Sequence, residues 1–130
     1  MNKVRTGNYF EDFSLGQTLI HGTPRTVSEG DASLYIALTG ARQVLNSAKP
    51  VAHALGYRDR PLDDLLVFNI AFGKTVPDIS LNAVANLGYA DVRFLKPVHA
   101  GDTISAESTV VGLKENANRK SGIVWVRSTA

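Results

Sequence analysis

The run Leu65-Leu66-Val67-Phe68-Asn69-Ile70-Ala71-Phe72 is apolar on nearly every side of a helical wheel, with Asn69 its one polar member. A surface helix keeps one wet face, so this pattern predicts an enclosed helix over residues 63–72. Asp63 and Asp64 stand where a cap belongs and put negative charge at the positive end of the helix dipole, which favours helix over a buried strand. Gly73 is the expected stop, and Pro77 the expected barrier to resumption.

Upstream, Tyr9, Phe10 and Phe13 give residues 8–13 the pattern of an arm docked onto the body, closed by Gly16. Residues 17–27 suit an extended stretch. Ser28 then precedes a helix over residues 29–39 as its N-cap, with Asp31 at the third helical position in a variant of the capping box. Leu34, Tyr35 and Leu38 mark its expected inward face, and Gly40 its C-terminal cap. A short helix is expected over residues 50–55, ended by Gly56 and followed by an exposed loop, Tyr57-Arg58-Asp59-Arg60.

Beyond Pro77 the texture changes to three strand-like stretches, 82–95, 102–113 and 121–130. Partial alternation appears in Val92 with Phe94, Ile104 with Ala106, and Ile123 with Trp125. The connections 96–101 and 114–120 are short enough for hairpins, the second a polar, lysine-rich solvated loop, so an antiparallel meander is expected. One strand, helices and then consecutive strands is an α+β order: a curved antiparallel sheet around one central buried helix, in a single domain over residues 1–130. The third strand reaches Ala130 with no partner strand after it, which predicts an uncovered sheet edge, a truncated domain, and reliance on another copy or another half.

Composition narrows the function. A length of 130 residues with 44% hydrophobic and 20% charged residues fits one globular domain. A net charge of +2, evenly spread, argues against nucleic acid, while a pI near 9.0 leaves a weak preference for anionic small molecules. Without cysteine there is no disulfide framework, thiol nucleophile or thiolate metal site. No stretch approaches the ~20 apolar residues of a membrane-spanning helix. The start MNKVRTGNYF lacks an apolar signal core, so a cytoplasmic protein is expected.

Most candidate motifs fail on their own chemistry. Gly73-Lys74-Thr75 looks like the tail of a phosphate loop, but Phe68 stands where its first glycine is required, and a helix precedes it in place of a strand. His21, His53 and His99 lack a second ligand at metal spacing and are expected as solvated or hydrogen-bonded singles. No serine sits in a nucleophile elbow or has a base near it in sequence. Asp63-Asp64 keeps two roles open. The pair can cap the helix, or a carboxylate there can serve as base while free N–H groups polarise a carbonyl.

The stretch Arg93-Phe94-Leu95-Lys96-Pro97-Val98-His99-Ala100-Gly101-Asp102 resembles the Arg-Phe-x-x-Pro-Val-x-x-Gly-Asp signature of MaoC-like hydratases and dehydratases, hot-dog-fold enzymes of acyl-CoA thioesters. Residues 28–40 are similar to that family's first helix and residues 61–72 to its central helix. With Asp63-Asp64-Leu65-Leu66-Val67-Phe68 and residues 72–82 included, nearly all of the chain is most similar to the N-terminal half of two-domain members that hydrate mesaconyl-CoA, the mesaconyl-CoA/β-methylmalyl-CoA type. The resemblance implies a hot-dog fold lacking its last strand. It also implies an acyl-CoA ligand without further cofactor or metal, and a partner that is either a second copy or a C-terminal hot-dog half.

The same resemblance implies a silent site. The family's hydration motif, Gly-Asp-x-Asn-Pro-aliphatic-His, laid on Gly40, puts Ala41 at the aspartate and Asn46 at the histidine, with Gln43 and Val44 at the asparagine and proline. Neither Ala nor Asn exchanges a proton near neutral pH. Asp64 and Leu65 fall at the His and Gly of the later Pro-Ile-Ala-His-Gly-like stretch. By this resemblance the catalytic pair comes from the C-terminal half. Arg93 and Lys96 are candidates for the CoA phosphates, and Asp64, Asn69 and Phe72 for the acyl pocket. Two alternatives stand beside it: a stand-alone thioesterase using Asp64, and a non-enzymatic interaction module.

Overall fold

The computed structural model describes residues 7–130; residues 1–6, and with them part of the stretch read for a signal segment, lie outside the described residues. In chain order a 3-10 turn at Phe10–Asp12 is followed by β1 (Thr18–Ile20), β2 (Arg25–Thr26), α1 (Glu29–Thr39), α2 (Val44–Ser47), α3 (Lys49–Ala54), α4 (Asp64–Thr75) and a π turn at Val76–Ser80. Then come β3 (Thr103–Ile104), β4 (Glu107–Glu115) and β5 (Gly122–Thr129). Two compact units share these elements: one from residues 7–23, 71–89 and 105–130, the other from Pro24–Ile70 and Ala90–Ile104.

The first unit is built on a three-stranded antiparallel sheet in the order β1-β4-β5. Ala106, Ser108 and Val110 are buried at every second position, as the period of a strand requires. The register slips between Val110 and Gly112, where a bulge lets Gly112 oppose Trp125. The expected N-terminal arm is present: Phe13 is buried, and the Phe10 ring lies so close to Gly122 that a Cβ there would collide with it. Tyr9, expected to help pin the arm, is exposed.

The second unit holds a core of Val27, Ala32, Leu62, Ile70 and Ile104, against which Leu66, Val67, Val98 and Ala100 pack. β2 and β3 form a separate two-stranded ladder, so the extended stretch 17–27 splits between two sheets. The α1 boundaries are as expected. Ser28 accepts from Asp31 N–H, Asp31 accepts from Ser28 N–H at 2.8 Å, and Gly40 closes the helix at φ 64°. Its inward face differs from expectation: Ala32 is buried, with Tyr35 and Ile36 half-buried, while Leu34 and Leu38 are 60% and 77% exposed. The small Ala32 sets the phase of the helix on the core, and a count of large apolar residues misses it.

Three further expectations are corrected. Residues 82–95 form no strand. Val84, Leu87, Tyr89 and Val92 are exposed, and no ladder among the described residues pairs with the segment, so its β-propensity has no context in which to act. The meander therefore reduces to the β4–β5 hairpin, and residues 96–101 lead into β3. The central helix passes through Gly73 to Thr75, because one interior glycine costs only about 1 kcal/mol. Pro77 does not bar further winding: the π turn follows α4 directly, with Pro77 at its second position. Finally, α4 is not enclosed on all sides: Ile70 is buried, but Leu65 is 57% exposed and Asn69 is exposed. The short helix expected over residues 50–55 is α3, with Pro50 in its first turn, and α2 is a further helix before it.

Candidate functional site

Within the second unit a cavity of about 220 Å³ opens between α2, the segment leading into α4, and residues 94–97. Gln43, Asn46, Tyr57, Asp64 and Lys96 supply its polar wall; Leu62, Phe94 and Pro97 supply apolar surface. Asn46, on α2, is 7% exposed. Its Nδ2 donates to the carbonyl of Pro61 at 3.0 Å, and its Oδ1 has no partner among the described residues. Its own carbonyl accepts from Arg60 Nη1 at 3.2 Å, and the Arg60 guanidinium also pairs with Glu29. The loop expected to be exposed thus sends two side chains inward: Tyr57 to the cavity wall, and Arg60, which is only 14% exposed.

The two aspartates at the head of α4 divide the roles left open by the sequence. Asp63 Oδ1 accepts from Leu65 N–H at 2.9 Å and so is the cap, while Asp64 lines the cavity at the helix N-terminus. Lys96 lines it too and makes no ion pair among the described residues. The neighbouring cations are engaged: Arg58 with Asp102, and Lys49 with Asp59 at 3.0 Å. The His99 N–H and then Arg58 hold the Asp102 carboxyl below the usual carboxylate range; Lys49 and the Arg60 N–H do the same for Asp59.

The other sequence candidates lie outside the cavity lining. Asn69 turns its amide back onto the Leu65 carbonyl at 2.8 Å. Phe72 meets Tyr89 edge to face, with ring centres 5.5 Å apart. Arg93 is exposed, and Ala41 is half-buried one turn of chain before Asn46. Tyr57 and Gln43 were not singled out as cavity residues by the sequence; only the tertiary contacts identify them. Phe94 and Pro97 carried a signal in the Arg-Phe-x-x-Pro-Val pattern. His53 is exposed and His21 is buried with both ring nitrogens hydrogen-bonded, as expected, whereas His99 is buried with Nε2 lacking a hydrogen-bond partner among the described residues. Among the described residues no group of three or more His, Cys, Asp or Glu could hold a metal ion, and no helix is long and apolar enough to cross a membrane.

Comparison with known proteins bears on what such a cavity serves. A family model described as mesaconyl-CoA hydratase matches residues 1–130. The mesaconyl-CoA hydratase of Cereibacter sphaeroides is 59% identical over 126 residues, which cover 97% of this chain and 37% of that protein. Among solved structures, a MaoC domain protein dehydratase from Chloroflexus aurantiacus superposes with a TM-score of 0.95 at 56% identity, covering 98% of this chain and 36% of that one. A Mycobacterium tuberculosis protein with a double hot-dog fold superposes with a TM-score of 0.86 at 28% identity, covering 95% of this chain and 38% of that one. The architecture is therefore the α+β hot-dog fold, and the chain spans little more than a third of the length of these relatives.

Proposed function

Because this chain belongs to the mesaconyl-CoA hydratase family, we propose that it is the thioester-binding, non-catalytic half of a two-domain hydratase that adds water to mesaconyl-CoA to give β-methylmalyl-CoA. The observation that carries the proposal is Asn46. At the position where the family resemblance expects the catalytic histidine, an amide that does not act as acid or base near neutral pH is buried in the cavity wall and bonded to the Pro61 carbonyl. Ala41, at the aspartate position, has no proton to give. The chemistry then falls to a second hot-dog half, and this half shapes the acyl pocket.

Lys96 is the cation proposed for a CoA phosphate, with Arg93 three residues before it on the same exposed segment. Asp64 lies at the cavity mouth, and Asn69 and Phe72 are proposed further along α4 for the acyl side. The ligand is an acyl-CoA thioester as substrate, with no other cofactor, in the cytoplasm. The complementary half is either the remainder of a longer chain or another copy. Replacing the corresponding third of the Cereibacter sphaeroides relative with this chain should give an active hydratase, while the 130 residues alone bind CoA esters without turnover. Full hydration by the chain alone would refute the assignment.

A stand-alone thioesterase is favoured by one observation: Asp63 takes the cap, which leaves Asp64 at the helix N-terminus lining the cavity. Asp64→Asn is the test. It should abolish acyl-CoA hydrolysis by the chain if Asp64 is base or nucleophile; an unchanged rate of hydrolysis would remove this reading.

A further inference from the structure

Ser108, on the inward face of β4, is fully buried, and a buried hydroxyl needs partners. It has two. His21, just past the end of β1, holds Nε2 2.7 Å from Ser108 Oγ, and Ser128, its cross-strand neighbour on β5, holds Oγ 2.7 Å from the same atom. The other imidazole nitrogen, Nδ1, lies 2.8 Å from Oδ2 of Asp78 in the π turn. All four residues belong to one compact unit.

The direction of donation follows from the chemistry of the end groups. An ionised carboxylate only accepts, so Nδ1 carries the proton, and a neutral ring must then accept at Nε2. With the ring in that tautomer, Ser108 donates to His21 and, its proton committed, accepts from Ser128. Every proton in the chain points from exposed Ser128 inward to partly exposed Asp78. This is the polarity of an Asp-His-Ser acyl-transfer triad, lengthened by one hydroxyl. Ser108 is too deeply buried to meet a substrate. Ser128 is not.

We propose that Ser128, activated through Ser108, His21 and Asp78, is a nucleophile toward acyl thioesters and esters, a second reactive site that does not depend on the cavity at Asn46 or on hydration chemistry. Ser128 Oγ forms a bond to the carbonyl carbon and the carbon–sulfur bond breaks. The Ser128 proton passes to Ser108 Oγ, and the Ser108 proton passes to His21 Nε2. Asp78 is a positioning residue, holding the ring and the imidazolium it becomes. The departing thiolate takes up one proton from solvent while the imidazolium gives one back to solvent, so the products are acyl-Ser128 and a free thiol, with no change of oxidation state.

The test treats the chain with p-nitrophenyl acetate and, separately, acetyl-CoA, and maps acetylated serines by mass spectrometry over time. Ser128 should react at least about tenfold faster than Ser33, an exposed serine on α1 in the same molecule. Ser108→Ala removes the middle hydroxyl with little change of volume and should bring Ser128 down to the rate of Ser33. Asp78→Asn, at the partly exposed end, should slow Ser128 relative to Ser33 by a similar factor and serves if Ser108→Ala does not fold. Equal rates at Ser128 and Ser33 in the unaltered chain overturn the proposal, as does a Ser128 rate unchanged in either variant.

Discussion

Asn46 and Pro61 are joined by a 3.0 Å hydrogen bond from the buried amide to the carbonyl three residues before α4 begins. The side chain at the proposed silent histidine position is thus a brace for the turn that sets the direction of the central helix. Truncation in Asn46→Ala leaves the buried Pro61 carbonyl unsatisfied, which costs about 1–3 kcal/mol. The denaturant midpoint should fall with an unchanged slope; an unmoved midpoint shows that the bond is not stabilising.

A methyl group at Gly122 has no room beside the Phe10 ring. Gly122→Ala should therefore either displace the N-terminal arm or strain β5, at a cost of about 1–3 kcal/mol, the range for overpacking. Limited proteolysis distinguishes the two: faster cleavage near Phe10 means that the arm gives way. A double variant, Phe10→Ala with Gly122→Ala, should recover much of the loss attributable to the clash.

Acid should destabilise the second unit through Asp31 and Asp102. The Ser28 N–H and hydroxyl, then Arg25, hold Asp31 below the usual carboxylate range, and the His99 N–H and Arg58 do the same for Asp102. Both groups are lower in the folded chain than in the unfolded one. Their contribution is therefore complete above the unfolded value of about 3.9 and is lost as pH falls through the folded value. Asp102→Asn should flatten the loss of stability below about pH 5; an identical acid profile by circular dichroism would rule Asp102 out as a source.

Lys96→Glu should weaken binding of a CoA ester by at least about tenfold, since charge-assisted phosphate contacts contribute about 1.5–3 kcal/mol. The same variant should reduce the salt dependence of binding. Titration calorimetry at two ionic strengths reads both, and unchanged affinity would move the phosphate contact elsewhere, Arg93 being the next cation to replace.

Elements whose signals are local were legible in the chain. Ser28, Asp31 and Gly40 bracket α1 with caps whose hydrogen bonds lie within three or four residues, so no distant contact was needed to place it. Asn116 and Ser121, bonded across the β4–β5 hairpin, are equally local. The Arg-Phe-x-x-Pro-Val pattern marked Phe94 and Pro97, which line the cavity, and Arg93, which does not.

What depends on distant partners was decided only by the tertiary structure. The period of α1 could not tell Leu34 from Ala32 as the buried residue, because phase is set by the core it meets. Residues 82–95 have strand composition but no ladder among the described residues, and a strand exists only with its hydrogen-bond partner. His21, Asp78, Ser108 and Ser128 lie up to 87 residues apart along a single hydrogen bond, so no sequence spacing announces them. The sequence determined where α1 begins and ends and which chemistry Asn46 lacks; the fold determined which buried polar groups face one another, because leaving such a group unpaired away from water is costly.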